Sequence, residues 1–207
     1  YLLNSKYKMI DKYDLFTNDQ SIPHFGYFDY ENIKNLPDGD CSTWNKWCSN
    51  LRTPEEEMIF KCWIASVFDG KNKGRQSIWI YDAAGNNGKS IISNIISDFL
   101  GRDLTAIRNG NEKEDGFQYA GLQGKRLLIA TDVKNQNMLR KGLMHNFTGY
   151  DSVNINSKGK AAINGKIGGK GLMFANIKPQ FAVDEIHEQS RYLMLTYKLK
   201  TNDEKYL

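Results

Sequence analysis

Short apolar runs alternate with segments of helical pattern between residues 77 and 197. Each run has four to six residues and is rich in β-branched or aromatic side chains: Ser77–Tyr81, Leu104–Ile107, Leu127–Thr131, Leu172–Ala175 and Tyr192–Tyr197. Apolar runs of this length, separated by longer connections, are typical of buried strands in a mostly parallel sheet. The pattern therefore predicts an α/β fold with a mostly parallel five-stranded sheet flanked by helices.

A core-facing helix is predicted directly before the first of these strands. Thr53 is suited to the N-cap, Pro54 to the first helical position and Glu56 to a capping box, and Gly70 is a stop signal. The apolar residues at helical spacing are expected on one buried face: Met58, Ile59, Trp63, Ile64 and Val67.

The first quarter of the chain has a different character. Residues 1–52 are rich in Tyr, Asp, Asn and Trp and show no long periodic segment. A chain of 207 residues, 40% of them hydrophobic, can bury one substantial core. We therefore expect a main domain at residues 53–207 and an N-terminal extension at residues 1–52, which is a candidate oligomerisation or collar segment.

Composition argues against a membrane protein and against a disulfide or zinc framework. No apolar run approaches the roughly 18 residues of a membrane span, and the polar start has no signal-peptide pattern. Cys41, Cys48 and Cys62 are odd in number and have no CxxC spacing. Buried thiols in a reducing compartment are expected, which places the protein inside the host cell, with cytoplasm and nucleus both open.

A turn of small residues connects the first predicted strand to a predicted helix at Ile91–Leu100. The sequence is YDAAGNNGKS at Tyr81–Ser90, with alanine at position 83 in place of the usual first glycine of a phosphate loop. Backbone N–H groups at such a helix N-terminus can surround an anionic phosphate. Gly85 and Gly88 permit the close approach, and Lys89 would reach the β and γ phosphates.

This turn predicts a site for ATP and Mg²⁺. The Ser90 hydroxyl would bind the metal. The expected nucleotide contacts are Ala84, Gly85, Asn86, Asn87, Gly88, Lys89, Ser90 and Ile91. The alternative is a strand-to-helix turn that binds nothing, since the tripeptide Gly-Lys-Ser is common by chance.

A candidate carboxylate follows about forty residues later. The apolar run at Leu127–Thr131 ends in Asp132, which would lie at the carboxyl end of its strand and face the Mg²⁺. Many phosphate-loop ATPases have two acids here, whereas this chain has one. The alternative is an exposed aspartate that ends a strand.

A basic hairpin is predicted beyond this strand. Asp151–Asn156 and Ala161–Asn164 can pair, and Val153 and Ile155 alternate with polar residues as a half-buried strand does. Four lysines on or after the turn are candidates to bind a nucleic-acid backbone: Lys158, Lys160, Lys166 and Lys170. The alternative is a solvated lysine turn.

A third motif, GLMFANIKP, ends an apolar run in Asn176, and an arginine follows before the last run. Together with the glycine turn, Asp132 and the hairpin, it resembles the superfamily 3 helicases of DNA viruses, phages, satellites and plasmid-type elements. The resemblance spans about Glu55 to Tyr197 and implies an AAA+-like P-loop domain. It assigns Lys89 and Ser90 to the triphosphate and Mg²⁺, and Asp132 to the Walker B position.

The same resemblance implies two further catalytic residues. Asn176 matches the polar sensor that holds the attacking water or the γ-phosphate, although an asparagine after a strand is also a common turn residue. Arg191 matches the arginine that enters the ATP site of a neighbouring subunit, and Arg140 is its competitor. A surface arginine at a strand start is the alternative for Arg191.

The function implied is an ATP-driven helicase or translocase that moves on single-stranded DNA during replication of a virus, phage or mobile element. It would act as a homo-oligomeric, hexameric ring, and RNA stays open as its substrate. One alternative is an ATP-regulated assembly or initiator module with little unwinding. Another is a P-loop kinase that acts on a small molecule.

Overall fold

The protein is described by a computed structural model. It covers residues 2–3, 9–10, 41–68, 75–83, 85, 87–110, 117–134, 142–159, 161–179 and 189–198. The elements in chain order are β1 (Leu2–Leu3), β2 (Met9–Ile10), α1 (Ser42–Cys48), α2 (Pro54–Phe68), β3 (Ser77–Tyr81), α3 (Lys89–Leu100), β4 (Thr105–Asn109), β5 (Leu127–Val133), α4 (Met144–Gly149), β6 (Ser152–Ile155), β7 (Ile163–Lys166), β8 (Lys170–Ala175) and β9 (Tyr192–Thr196).

A five-stranded sheet in the order β4-β5-β8-β3-β9 forms the centre of the fold. Every neighbouring pair in it is parallel. The predicted α/β class and parallel five-stranded sheet are therefore confirmed, and each strand lies within two residues of its predicted bounds. The β8 strand is inserted between β3 and β5, so the residues that follow these three strands meet at one edge.

The sheet is buried on both faces, which explains why its strands are continuous apolar runs. Ile80, Ile129 and Phe174 face one apolar cluster, which includes residues from α1, α2 and α3. Trp79 and Met173 face a second cluster, which includes residues from α4 and from the β6–β7 hairpin. The alternation along β3, β5 and β8 thus assigns their apolar side chains to one of two layers.

The start of α2 agrees in part with the prediction. The helix begins at Pro54, and the Thr53 hydroxyl accepts a hydrogen bond from the Glu56 N–H at 3.2 Å. The reciprocal bond of a capping box is replaced, because the Glu56 carboxylate accepts from the N–H groups of Arg52 at 3.2 Å and Thr196 at 3.0 Å. Glu56 therefore joins the helix start to the end of β9.

The buried face of α2 corrects the predicted one. Met58 and Ile59 are exposed, at 65% and 41% of their surface, whereas Phe60 is fully buried. The buried stripe is Phe60, Trp63, Ile64 and Val67. These positions follow the i, i+3, i+4, i+7 spacing from Phe60, and the prediction took the two residues before it instead. Gly70, the predicted stop, lies outside the described residues.

The segment before α2 contributes to the core. Trp47, Cys48 and Leu51 are buried in the same cluster as α2 and α3, and Leu51 forms an antiparallel bridge with Tyr197. Residues 41–51 thus pack on the sheet. The predicted domain boundary after residue 52 stays a prediction.

All three cysteines are free, but only Cys48 is buried. Burial raises the pKa of the Cys48 thiol to about 11, so it stays protonated near neutral pH. Cys41 and Cys62 are exposed, which corrects the expectation that the thiols are buried.

The predicted hairpin is present. Strands β6 and β7 pair antiparallel with Val153 opposite Gly165 and Ile155 opposite Ile163. Val153 and Ile155 are buried, as their alternation predicts. The second strand begins two residues later than expected, so the connection is longer than the predicted four-residue turn. No helix in the described part of the chain is long and apolar enough to cross a membrane.

Candidate nucleotide site

The carboxyl ends of β3, β8 and β5 form one edge of the sheet. Ala175 is the cross-strand partner of both Tyr81 and Val133. Asp82, Asn176 and Asp132 each lie one residue from this row. The backbone N–H of Asp82 also donates to the Ala175 carbonyl at 2.9 Å. Three polar residues that are distant in sequence therefore follow or flank adjacent strand ends, which is where ligands bind in open α/β sheets.

Asp82 organises the loop that follows β3. Its side chain is 1% exposed. One carboxylate oxygen accepts from the Gly85 N–H at 3.1 Å and from the Asn87 side-chain amide at 2.7 Å. The other accepts from the Lys89 amine at 3.1 Å. A buried carboxylate needs such donors, and here all of them come from the loop and the first residue of α3.

Lys89 connects the loop to β8. Its amine donates to Asp82 and also to the side-chain oxygen of Asn176 at 2.5 Å. The lysine side chain is 12% exposed. The structure thus brings Lys89 and Asn176 together, while the roles that the helicase resemblance gives them stay predictions.

The described residues among the remaining predicted nucleotide contacts belong to the loop and to the first turn of α3. Gly85 and Gly88 have left-handed backbone conformations, with φ of 70° and 73°. Gly88 precedes the first residue of α3, where only a residue that tolerates positive φ fits without strain. Ser90 and Ile91 are exposed on the first turn of α3. Ala84 and Asn86 lie outside the described residues.

Trp47 supports the loop from the α1 side. Its indole N–H donates to the Asn87 carbonyl at 3.2 Å, and its ring packs against Tyr197 and Phe60. Burial raises the pKa of the Tyr197 phenol, and the Asp82 carboxylate raises it further, so this hydroxyl stays neutral. The loop is therefore supported by Trp47, which in turn packs against Tyr197 directly after β9.

Sequence reasoning missed Asp82 and Trp47. Asp82 could have been identified from the sequence, because it directly follows a buried strand and precedes a glycine turn. A carboxylate in that position is expected to accept its hydrogen bonds from the turn. Trp47 carried none, because it lies in a segment without periodicity and reaches the loop only through the tertiary fold.

Asp132 occupies an irregular position in β5. The pairing of β5 with β8 shifts register between Ala130 and Val133, and Asp132 has φ of 53° and is exposed. Left-handed geometry is uncommon for a residue with a side chain, although aspartate tolerates it better than most. Such irregularities redirect side chains next to functional sites. The predicted carboxylate therefore lies at the expected strand end.

The residues available to a metal ion are few. Within the ranges that the structure describes, no group of three or more His, Cys, Asp or Glu side chains could hold a metal. Mg²⁺ commonly binds through one or two protein groups together with phosphates and water. A hydroxyl at Ser90 and a carboxylate at Asp132 fit that pattern, and they do not fit a metal site made by protein alone.

Arg191 lies at the amino ends of the parallel strands, directly before β9, whereas the loop lies at their carboxyl ends. Its carbonyl accepts from the Ser77 N–H at 2.7 Å, at the amino end of β3, whereas the loop follows the carboxyl end of that strand. The structure therefore does not bring Arg191 to the Lys89 of its own chain. Arg140 lies outside the described residues.

The four candidate nucleic-acid lysines are separated. Lys158 and Lys166 are exposed on the hairpin, and Lys160 lies outside the described residues. Lys170 is buried at the amino end of β8, with its amine 5.8 Å from the centre of the Trp63 ring. Burial lowers the Lys170 pKa. Because Trp63 belongs to the cluster on the α2 side of the sheet, Lys170 lies on the face opposite the hairpin.

The match to a known family covers this edge of the sheet. The chain matches the family of unknown function DUF5906 over residues 81–191, more than half of its length. The chain belongs to the DUF5906 family. The DUF5906 match begins at the last residue of β3 and includes the loop, Asp132, the hairpin and Asn176, and Trp47 lies before it.

Solved structures of the C-terminal region of NrS-1 have a similar fold. The A form apo structure superposes with a TM-score of 0.57 at 16% identity, covering 74% of this DUF5906 chain and 37% of that chain. An apo structure of residues 305–718 gives a TM-score of 0.60 at 14% identity, with 79% and 40% coverage. This chain thus spans about two fifths of those structures. No curated protein matches the sequence.

Removal of the Trp47 indole donor should destabilise the fold. Trp47→Phe keeps most of the ring packing but leaves the Asn87 carbonyl without its donor, so we expect a loss of about 1 kcal/mol in the free energy of unfolding. Chemical denaturation of the variant and of the wild type measures this difference in the free energy of unfolding. Trp44→Phe is the matched control, because Trp44 stacks on Trp47 and Phe60 and is partly buried. Equal losses in the two variants would argue against a role for the Asn87 hydrogen bond.

Proposed function

We propose that this chain is a P-loop ATPase domain of AAA+-like type, which binds ATP on residues 83–90 and hydrolyses it. The observation that carries the proposal is the contact between Lys89 and Asn176. Lys89, the first residue of the helix that follows the buried strand β3 and its loop, meets the side chain of Asn176, which directly follows the adjacent parallel strand β8. This is the arrangement in which a lysine and a sensor residue can share one phosphate group.

Several features of the loop support phosphate binding. Its backbone turns through two left-handed glycines into the N-terminus of α3, where free N–H groups and the helix dipole favour an anion. The Lys89 amine has three N–H donors, of which two are used by Asp82 and Asn176. Among the described residues the third N–H has no acceptor, so it could donate to an oxygen of the nucleotide.

Ser90 and Asp132 are the residues proposed to hold Mg²⁺. Mg²⁺ bound with the nucleotide would neutralise charge on the phosphates. Asp132 would orient its carboxylate from the irregular end of β5, and Ser90 would offer its hydroxyl from the first turn of α3. Asn176 would position the attacking water against the γ-phosphate, which Lys89 holds from the other side.

The position of Arg191 supports shared sites in an oligomer. Arg191 lies at the sheet edge opposite the loop, so it could complete an ATP site only on a neighbouring chain. An arginine supplied in this way offsets negative charge in the transition state and is worth about 10³ to 10⁵ in rate. The proposal is therefore a homo-oligomeric ring, hexameric by the superfamily 3 resemblance.

Single-stranded DNA is the proposed substrate of the ring. The hairpin carries exposed Lys158 at its turn and exposed Lys166 on its second strand. Such a cationic projection can bind a phosphate backbone with little sequence preference. The role in replication is proposed from the superfamily 3 resemblance, and the likeness to the C-terminal region of NrS-1 supports the fold on which that resemblance depends. Three free thiols are compatible with a reducing compartment of the host cell.

Two observations favour a second candidate, an ATP-regulated assembly module with little unwinding. The end of β5 supplies a single acid, and Lys89 is already paired with a buried carboxylate. Both features are compatible with tight control of nucleotide binding and slow hydrolysis. This candidate predicts an ATPase rate that single-stranded DNA does not change.

Replacement of Lys89 should remove most of the nucleotide affinity. A charged hydrogen bond contributes about 1.5–3 kcal/mol, so Lys89→Ala should bind ATP at least about tenfold more weakly in equilibrium titrations. Lys61→Ala is the control, since it removes a lysine that pairs with Glu57 on the surface.

The Lys89→Ala protein also loses the cation that pairs with the buried Asp82 carboxylate. The variant should therefore be less stable to unfolding than the wild type. Binding must therefore be compared at a temperature where circular dichroism shows that both proteins are folded. Normal ATP affinity in folded Lys89→Ala protein would contradict the proposed loop.

The hairpin and the buried lysine should differ in their effect on DNA binding. Lys158→Ala should weaken binding of single-stranded DNA and reduce the slope of log K against log salt by about 0.7, the value for one lost phosphate contact. Lys170→Met should leave the DNA affinity and the salt slope unchanged, because Lys170 is buried on the face of the sheet opposite the hairpin. A salt titration of both variants measures this, and a loss confined to Lys170→Met would contradict the proposed DNA surface.

A further inference from the structure

A buried negative charge, the Asp82 carboxylate, packs against the candidate phosphate loop. The Asp82 carboxylate is 1% exposed and lies under the loop, where it accepts hydrogen bonds from Gly85, Asn87 and Lys89. A loop that receives a triphosphate would be expected to contain only positive and neutral groups. The contacts of Asp82 therefore need an explanation beyond the proposed binding of ATP.

The donors that bind Asp82 are of the kinds that bind phosphate elsewhere. A backbone N–H, a side-chain amide and a lysine amine all point at its two oxygens. Phosphate groups are recognised by such donors at helix N-termini. The Asp82 carboxylate thus accepts from a set of donors that could equally bind a phosphate oxygen.

Asp82 itself is fixed in place. Its backbone N–H donates to the Ala175 carbonyl on β8, and its side chain is enclosed by the loop. Lys89 has more freedom, because it has a long side chain and its amine is held by side chains alone. When an anion arrives, the contact that can change is therefore the one between Lys89 and Asp82.

We propose that Asp82 is an internal place-holder for phosphate, which pairs with Lys89 and must release it, wholly or in part, when a nucleotide binds. This inference rests on the proposed phosphate loop and adds a positioning residue to it. Asp82 preserves the loop and keeps Lys89 paired in the absence of ligand. It also weakens nucleotide affinity, since it competes for Lys89 and repels the entering phosphates.

The test compares the wild-type chain with Asp82→Asn. The asparagine oxygen can still accept from Gly85 and Asn87, but its amide cannot accept from Lys89, so the charge is removed while the loop's other bonds remain possible. Asp98→Asn is the matched control, because Asp98 pairs with Arg102 on the exposed side of α3. Calorimetric titrations with ATP and with inorganic tripolyphosphate measure affinity, and thermal melts measure stability.

The place-holder role predicts opposite changes in stability and affinity. Asp82→Asn should melt at a lower temperature than wild type without ligand and should bind tripolyphosphate about tenfold more tightly or better. Tripolyphosphate should also raise its melting temperature more than it raises that of the wild type. Asp98→Asn should match the wild type in both measurements.

The remaining outcomes separate this inference from the proposed function. If the wild type binds tripolyphosphate or ATP, and Asp82→Asn binds them equally or more weakly, the place-holder role is wrong and the phosphate loop stands. If the wild type binds neither anion, the proposed function is wrong and this inference with it. If Asp82→Asn does not fold, millimolar tripolyphosphate should restore its circular dichroism spectrum, and failure to restore it would overturn the inference.

Discussion

The contact of Lys89 with both Asp82 and Asn176 joins three separate parts of the fold. Asp82 follows β3, Asn176 follows β8 and Lys89 begins α3, so one amine connects two strand ends and a helix. Loss of one partner of a buried ion pair costs about 3–5 kcal/mol, because the other charge remains without compensation. The loop, the helix start and the end of β8 therefore depend on the same pair for their positions.

The strand order makes this contact possible. Because β8 lies between β3 and β5, the residue after β8 lies close to the end of each of its neighbours. The carboxylate of Asp132 follows on the far side of β8. The loop is supported from below by Trp47, a residue outside the region matched to the DUF5906 family. A domain limited to that region would lose the support of Trp47.

Local patterns predicted most of the fold. Continuous apolar runs identified all five sheet strands, and the alternation of Val153 and Ile155 identified the hairpin, since both patterns depend on burial on one or two faces. Features set by tertiary contacts were not predictable. The Glu56 carboxylate accepts from the N–H of Thr196 on β9 as well as from that of Arg52. Met58 and Ile59 are exposed because the helix turns Phe60 toward the sheet.

The candidate site shows the same division. The glycine turn indicated Lys89, and the ends of two apolar runs indicated Asp132 and Asn176. The bond from Trp47 and the burial of Lys170 depend on how layers pack, and sequence spacing does not contain that information. Arg191 lies at the end of the sheet opposite the loop, and this can be inferred only when the directions of β3 and β9 are known.

Steady-state ATP hydrolysis by the wild-type chain tests the central claim most directly. The rate should be measured across protein concentrations at fixed low salt, with and without single-stranded DNA. If neighbouring chains complete each other's sites, the rate rises faster than linearly with protein concentration, and DNA increases it. Absence of hydrolysis, or a slow rate that is proportional to protein concentration and indifferent to DNA, would contradict an ATP-driven ring that moves on DNA.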